Sequence, residues 1–95
     1  MRRAGRTDSN QQEIVKAFRQ IGASVQLLSS VGKGCPDVLV GFRGRNVLVE
    51  VKRPKLSPSQ HLTKDQIDWH ANWGGQVCVA ESISDAVEKV IAAAI

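Results

Sequence analysis

The sequence predicts an α/β domain, a mixed sheet with helices packed on it. Three observations predict it. Apolar residues recur at helical spacing near both ends: Ile14, Phe18 and Ile21, then Ala86, Val87, Val90 and Ile91. Two apolar runs, residues 37–42 (DVLVGF) and 46–52 (NVLVEVK), flank the turn-forming Arg43-Gly44-Arg45. A further apolar run, residues 76–80 (QVCVA), follows a second helical segment. The element order is helix, three strands, helix, strand, helix. With 95 residues this is one domain.

Each element has local signals. Residues 1–8 are basic and polar and read as an arm. Ser9 opens a capping box with Gln12, and Gly22 stops the pattern, so the first helix covers roughly 9–21. Val25 and Leu27 alternate with Ser24 and Gln26, which suggests a short strand. Residues 29–36 (SSVGKGCP) are a loop by composition, and so are residues 53–62 (RPKLSPSQHL). Thr63 and Gln66 form another capping box, and a helix follows over about 64–73, ended by Gly74-Gly75. Because residues 76–80 are almost wholly apolar, that strand is expected inside the sheet. Ser84 is expected to cap the last helix, whose buried face would carry Ala86, Val87, Val90 and Ile91.

Composition removes several function classes. The net charge of +4 favours a polyanionic partner, since Lys and Arg displace counterions from phosphates. Two Trp, two Phe and no Tyr are too few for a surface that reads single-stranded bases by stacking. Cys35 and Cys78 make neither a disulfide framework nor a zinc spacing, which fits a reduced, cytosolic protein. No apolar run approaches about 18 residues, and the basic N-terminus lacks the apolar stretch of a signal peptide.

Chemistry concentrates at Pro36-Asp37 and, thirteen residues after that Asp, at Glu50-Val51-Lys52. Alternate strand residues share a face, so Glu50 and Lys52 point the same way. If Gly44 and Arg45 form the hairpin loop, Arg43 pairs with Asn46, Leu39 with Glu50 and Asp37 with Lys52. Opposed residues share a face, so Asp37, Glu50 and Lys52 converge. A turn one residue longer or shorter would break that convergence. Two carboxylates on one face repel, and a hard divalent cation relieves this: Mg2+ takes one or two carboxylates and keeps its waters for phosphate. Such an ion polarises a scissile phosphate and offsets charge on the leaving oxygen. Lys52 would orient the attacking water or stabilise the phosphorane. Taken singly, E-x-K is usually a solvated hairpin face and Pro-Asp a turn. The register, and the apolar neighbours of Glu50, favour a site.

In this order the residues resemble the PD-(D/E)XK nuclease superfamily. The flanking pattern is similar to its virus-type replication-repair branch, abbreviated VRR-NUC. That branch shows an early helix with Glu, a G-x-PD loop, an E-[LV]-K strand, a Gln in the next helix and a GGxVxV strand. This chain has Glu13, Gly34 to Asp37, Glu50 to Lys52, Gln66, and Gly74 to Val79, so the resemblance covers about residues 9–91. It implies a restriction-endonuclease-like αβββαβα core with a mixed central sheet flanked by helices. It assigns Asp37 and Glu50 to the metal, with the Val51 carbonyl and Glu13 as further contributors. Lys52 is then the catalytic lysine, and Gln66 orients the site or touches the phosphate. Glu13 is equally an ordinary first-turn acid, and Gln66 equally the closing residue of a capping box.

The resemblance further implies a Mg2+- or Mn2+-dependent DNA endonuclease leaving 5′-phosphate and 3′-hydroxyl ends. Structure-selective cutting of branched DNA such as four-way (Holliday) junctions is part of that expectation. Cutting two strands with one site per chain favours a homodimer, with the last helix or the Trp69–Trp73 pair as possible interfaces. Free-standing copies of this size look like phage or prophage proteins, which implies the cytoplasm of a bacterial host. Lys33, Arg43, Arg45, Arg53, Lys55 and Lys64 lie in loops or at element ends, where they could hold phosphates or simply form a charged surface. His61 and His70 read as a loop histidine and a solvated helix histidine. Trp69 and Trp73, four apart, favour core or dimer packing over base stacking. The rival function is a non-catalytic nucleic-acid-binding module that keeps the fold; a complete Asp37, Glu50 and Lys52 set argues against it.

Overall fold

A computed structural model describes residues 9–53 and 62–95. The basic arm, Lys55 and His61 lie outside the described residues. Helix α1 spans Ser9–Gln20, and strands β1, β2 and β3 span Ser24–Leu27, Val38–Phe42 and Arg45–Val51. Helix α2 spans Lys64–Asn72, β4 spans Val77–Ala80 and α3 spans Ile83–Ala93. The expected order of elements is present. The sheet is mixed, in the order β1-β2-β3-β4, antiparallel through β3 and parallel between β3 and β4.

Helix α1 ends where glycine chemistry says it should. Gly22 sits at φ 94°, its N–H donates to the Arg19 carbonyl, and Ala23 N–H donates to Phe18. This pair of bonds is a Schellman cap. Ser9, the expected cap of α1, borders the residues that lie outside the described ones.

The hairpin turn differs from the expected one. Phe42 pairs with Arg45, so the loop residues are Arg43 and Gly44 rather than Gly44 and Arg45. Both have positive φ, 53° and 79°, which is the type I′ signature. That turn twists with the strands, and Gly44 takes its second position; the Arg43 guanidinium lies 4.7 Å from the Phe42 ring centroid. Sliding a two-residue turn by one position shifts the pairing by two. A shift of two leaves every side chain on its original face. Continued past Val38–Val49, the register sets Asp37 opposite Glu50 rather than Lys52, and the convergence survives.

The sheet separates apolar from chemical residues. Val38, Val40, Val47, Val49 and Val51 face Ile14 and Phe18 of α1 and Ala86 and Val90 of α3, forming the core with Ala80. The other face carries Leu39, Leu48, Glu50 and, beside Glu50 on β4, Val79. Among the described residues β4 pairs only with β3, so it is an edge strand, not the expected internal one. Its apolar side chains are used differently: Ala80 is buried in the core, Cys78 packs against it, and Val77 and Val79 stay partly exposed. Helix α3 starts two residues earlier than expected, capped by Ser82, whose hydroxyl accepts from Asp85 N–H at 3.1 Å. Of its expected buried face, Ala86 and Val90 are buried and Val87 and Ile91 half-buried.

Helix α2 contributes no buried residue to the core. Trp69 and Trp73 stack on each other with centroids 4.7 Å apart, and Trp73 stays 45% exposed, so the pair is not core packing. Among the described residues no helix is long and apolar enough to cross a membrane.

Candidate active site

The site is built where β2 begins and β3 ends. The register sets Pro36 opposite Val51 in a hydrogen-bonding position of the ladder. Proline has no N–H to donate, so β2 cannot satisfy the Val51 carbonyl. The Val51 N–H turns instead to the Asp37 side chain, donating to Oδ2 at 2.8 Å. The N–H and C=O of one strand residue point to the same side, so the Val51 carbonyl faces Asp37. The Pro-Asp pair thus ends the ladder and fixes the carboxylate in one step. Upstream, Gly34 (φ 85°) lets this loop meet α2: a β-carbon there would collide with the Asp65 carbonyl.

Glu50 is only 3% exposed. Its Oε2 accepts from Gln66 Nε2 at 3.2 Å and lies 3.9 Å from Lys52 Nζ. Its Oε1 is buried without a partner. Burial first, then the Asp37 charge and a proton shared with the Asp37 carboxyl, push the Glu50 carboxyl up to about 8, and Lys52 pulls it only partly back. The Cys35 thiol feels the same field, raised by burial and then by the charges of Glu50 and Asp37.

Gln66 closes the expected capping box and also reaches Glu50. Its Oε1 accepts from Thr63 N–H at 2.9 Å, closing the capping box, while its Nε2 reaches Glu50. The cap of α2 therefore aims the amide at the carboxylate.

Two contributors escaped the sequence reading. Asn10 Nδ2 donates to the Lys52 carbonyl at 2.8 Å, while Lys52 N–H donates to Ala80 at 2.9 Å. The lysine is thus pinned from α1 and from β4 just where β3 ends. His70 is not a solvated histidine: its Nε2 is buried and unpartnered. Burial and then the Lys52 charge hold its imidazole below the ordinary range.

The arrangement suits a hard divalent cation. Asp37, the orphaned Glu50 Oε1 and the Val51 carbonyl supply three oxygens, a number that leaves Mg2+ or Mn2+ room for waters. Among the described residues no group of three or more His, Cys, Asp or Glu side chains gathers that could hold a metal.

No protein-family model matches the sequence, and no curated protein matches it. A solved structure described as a VRR_NUC domain does match, with a TM-score of 0.68 and 28% sequence identity. The match covers 85% of this chain and 89% of that one. This similarity supports the VRR-NUC nuclease family for the chain. The four-stranded mixed sheet and three helices among the described residues form a restriction-endonuclease-like fold.

Not every residue expected from the VRR-NUC pattern gathers here. Asp37, Glu50, Val51, Lys52 and Gln66 do. Glu13 is exposed on α1 and does not join Asp37 and Glu50 in a three-carboxylate group. Its neighbours in the sequence explain this, since Ile14 and Phe18 turn to the core and leave Glu13 at the solvent side. Arg43 and Arg45 sit at the far end of the hairpin, roughly 17 Å from Asp37 at about 3.4 Å per residue, and so do not flank the site. Lys33 is exposed in the loop before Asp37, with φ 57°. Lys64 pairs with Asp68 at 2.9 Å on the surface of α2, and Arg53 is exposed just past Lys52.

Proposed function

We propose that this VRR-NUC domain, residues 9–95 behind a basic arm, hydrolyses DNA phosphodiester bonds with Mg2+ or Mn2+ held by Asp37, Glu50 and the Val51 carbonyl. One observation carries the proposal: a carboxylate 3% exposed, with an unpartnered oxygen, beside a second carboxylate and a lysine. A buried carboxylate pair is costly unless a cation sits between. When bound, the ion supplies Lewis-acid polarisation of the scissile phosphate.

The chain's own residues do the rest. Asp37 is oriented by Val51 N–H and Glu50 by Gln66, so neither must reorganise on ion binding. Lys52, pinned at both backbone ends, presents its ammonium beside Glu50 to orient water or meet charge on the phosphate. Apolar neighbours such as Leu48 limit water on this face. Lys33, Arg53, Lys55 and Lys64 are the phosphate-holding cations of this reading, with Arg43 and Arg45 reaching more distant phosphates. Glu13 acts through water. The substrate is branched DNA of the four-way-junction type, cut by a homodimer that brings one site to each strand. The setting is the cytoplasm of a bacterium carrying a phage or prophage.

The test uses purified protein, four-way and linear duplex DNA, and Mg2+, Mn2+ or chelator. Metal-dependent cleavage, faster on the junction and absent in Asp37→Ala, is expected. Absence of cleavage of any DNA, with binding retained, would leave the non-catalytic DNA-binding module. Cleavage by Asp37→Ala at the parental rate would refute the site.

A further inference from the structure

Helix α2 stands outside the core, so what its inner face touches is the site. Gln66 and His70 are four apart on that helix and share a face. Along α2 they are separated by about 6 Å, at 1.5 Å per residue. Along β3, Glu50 and Lys52 share a face and are separated by about 6.6 Å, at 3.3 Å per residue. Gln66 sits over Glu50, at 3.2 Å. The matched spacings, and the Lys52 charge felt by the His70 ring, point to His70 lying near Lys52.

The chemistry of the two groups fits. His70 Nε2 is buried and has no partner among the described residues. An unpaired buried ring nitrogen is costly, so a partner is expected within reach. The Lys52 charge is felt by the ring and opposes its protonation. A neutral imidazole has one lone pair to offer and an ammonium three N–H donors. Lys52 uses its donors poorly: Glu50 Oε2 is 3.9 Å away and already serves Gln66.

We propose that His70 is a positioning residue of the nuclease site, whose Nε2 accepts from the Lys52 ammonium, directly or through one water, and fixes it over the scissile phosphate. The role in turnover rests on the nuclease reading; the contact does not. A cation bound at Glu50 would weaken that carboxylate's hold on Lys52, and His70 then offers the ammonium an acceptor in its place. Gln66 and His70 would divide the work, one aiming the carboxylate and the other the lysine.

Two measurements test this on the full chain. The first needs no metal and no DNA. In 15N-labelled protein, long-range proton–nitrogen spectra should show His70 with Nδ1 protonated and Nε2 as a bare acceptor, its resonance moving in Lys52→Met. A protonated Nε2, or a resonance indifferent to Lys52→Met, overturns the contact. The second reads cleavage. His70→Leu should lower kcat about tenfold with KM unchanged within about twofold. His70→Gln, which can place an amide oxygen near the same point, should recover most of that loss. Equal losses in the Leu and Gln variants, or a change in KM alone, overturn the positioning role. Because α2 buries no core residue, both variants should keep the parental Tm. If the parent cuts no DNA, the nuclease reading fails, and the spectra alone decide the contact.

Discussion

Val49 and Glu50 are neighbours on β3, and water reaches them about equally little: Val49 is 0% exposed and Glu50 3%. On one face five valines of β2 and β3 meet α1 and α3 with nothing polar to satisfy. On the other, a carboxylate is buried with one oxygen unpaired and its proton held up to about 8. The first face lowers the free energy of the fold, by roughly 25 cal/mol for each Å2 of apolar surface removed from water. The second raises it. A strand can carry this second face because its neighbour face supplies the stability, and because Pro36, Gly34 and the α2 cap hold the polar groups in place. Burial alone therefore does not mark a core residue; burial with an oxygen left unpaired sets Glu50 apart from its valine neighbours.

The largest effects should separate the two faces. Glu50→Gln should cut turnover by about a thousandfold while leaving the metal-free fold as stable or more so at pH 8. Val49→Ala should do the reverse, costing about 2 kcal/mol by urea unfolding with kcat per folded molecule retained. Loss of both properties in both variants would erase the distinction.

Gln66 joins the faces' logic to α2 and sharpens it. Gln66→Ala removes the capping box and the Glu50 contact, so it should loosen α2 by about 1 kcal/mol in hydrogen exchange and slow cleavage by about ten- to a hundredfold. Gln66→Glu keeps an acceptor for Thr63 N–H but sets a second negative charge against Glu50. It should keep α2 protected and still lose activity. Equal loss of protection in both would make Gln66 a cap only.

The raised carboxyl predicts a smaller, pH-dependent effect. Below about pH 4.5 both folded and unfolded states carry the Glu50 proton, and no penalty exists. As pH rises toward about 8 the unfolded chain releases that proton while the fold retains it, so stability falls; above that the penalty is constant. Between pH 5 and 8 the metal-free parent should lose Tm relative to Glu50→Gln. Parallel curves would contradict the burial of an ionisable pair. Smallest of all, Arg43→Ala and Arg45→Ala should change cleavage within about twofold, because the I′ turn carries them to the far end of the hairpin.

Much of this was legible in the sequence, and the misses have physical causes. Periodicity found α1 through Ile14 and Phe18, and the Thr63–Gln66 spacing found the cap of α2. The hairpin turn was misplaced by one residue, because an arginine at positive φ leaves no compositional trace. The face assignment survived only because that error shifts pairing by an even number. An apolar run such as VCVA reports burial against α3, not rank within a sheet, so β4 was placed inside when it lies at the edge. Local spacing could not find Asn10, which reaches the Lys52 carbonyl from α1, or His70, whose ring feels the Lys52 charge from α2. For His70 the one available signal was its position four residues after Gln66.

The central claim is that the polar face is completed by a divalent cation. Thermal unfolding at pH 8 with and without Mn2+, in the parent and in Glu50→Gln, tests it without any assumption about DNA. Mn2+ should raise the parental Tm by several degrees, as binding to the folded state alone requires, and leave Glu50→Gln nearly unmoved. An equal shift in both proteins, or none in the parent at millimolar Mn2+, would contradict it.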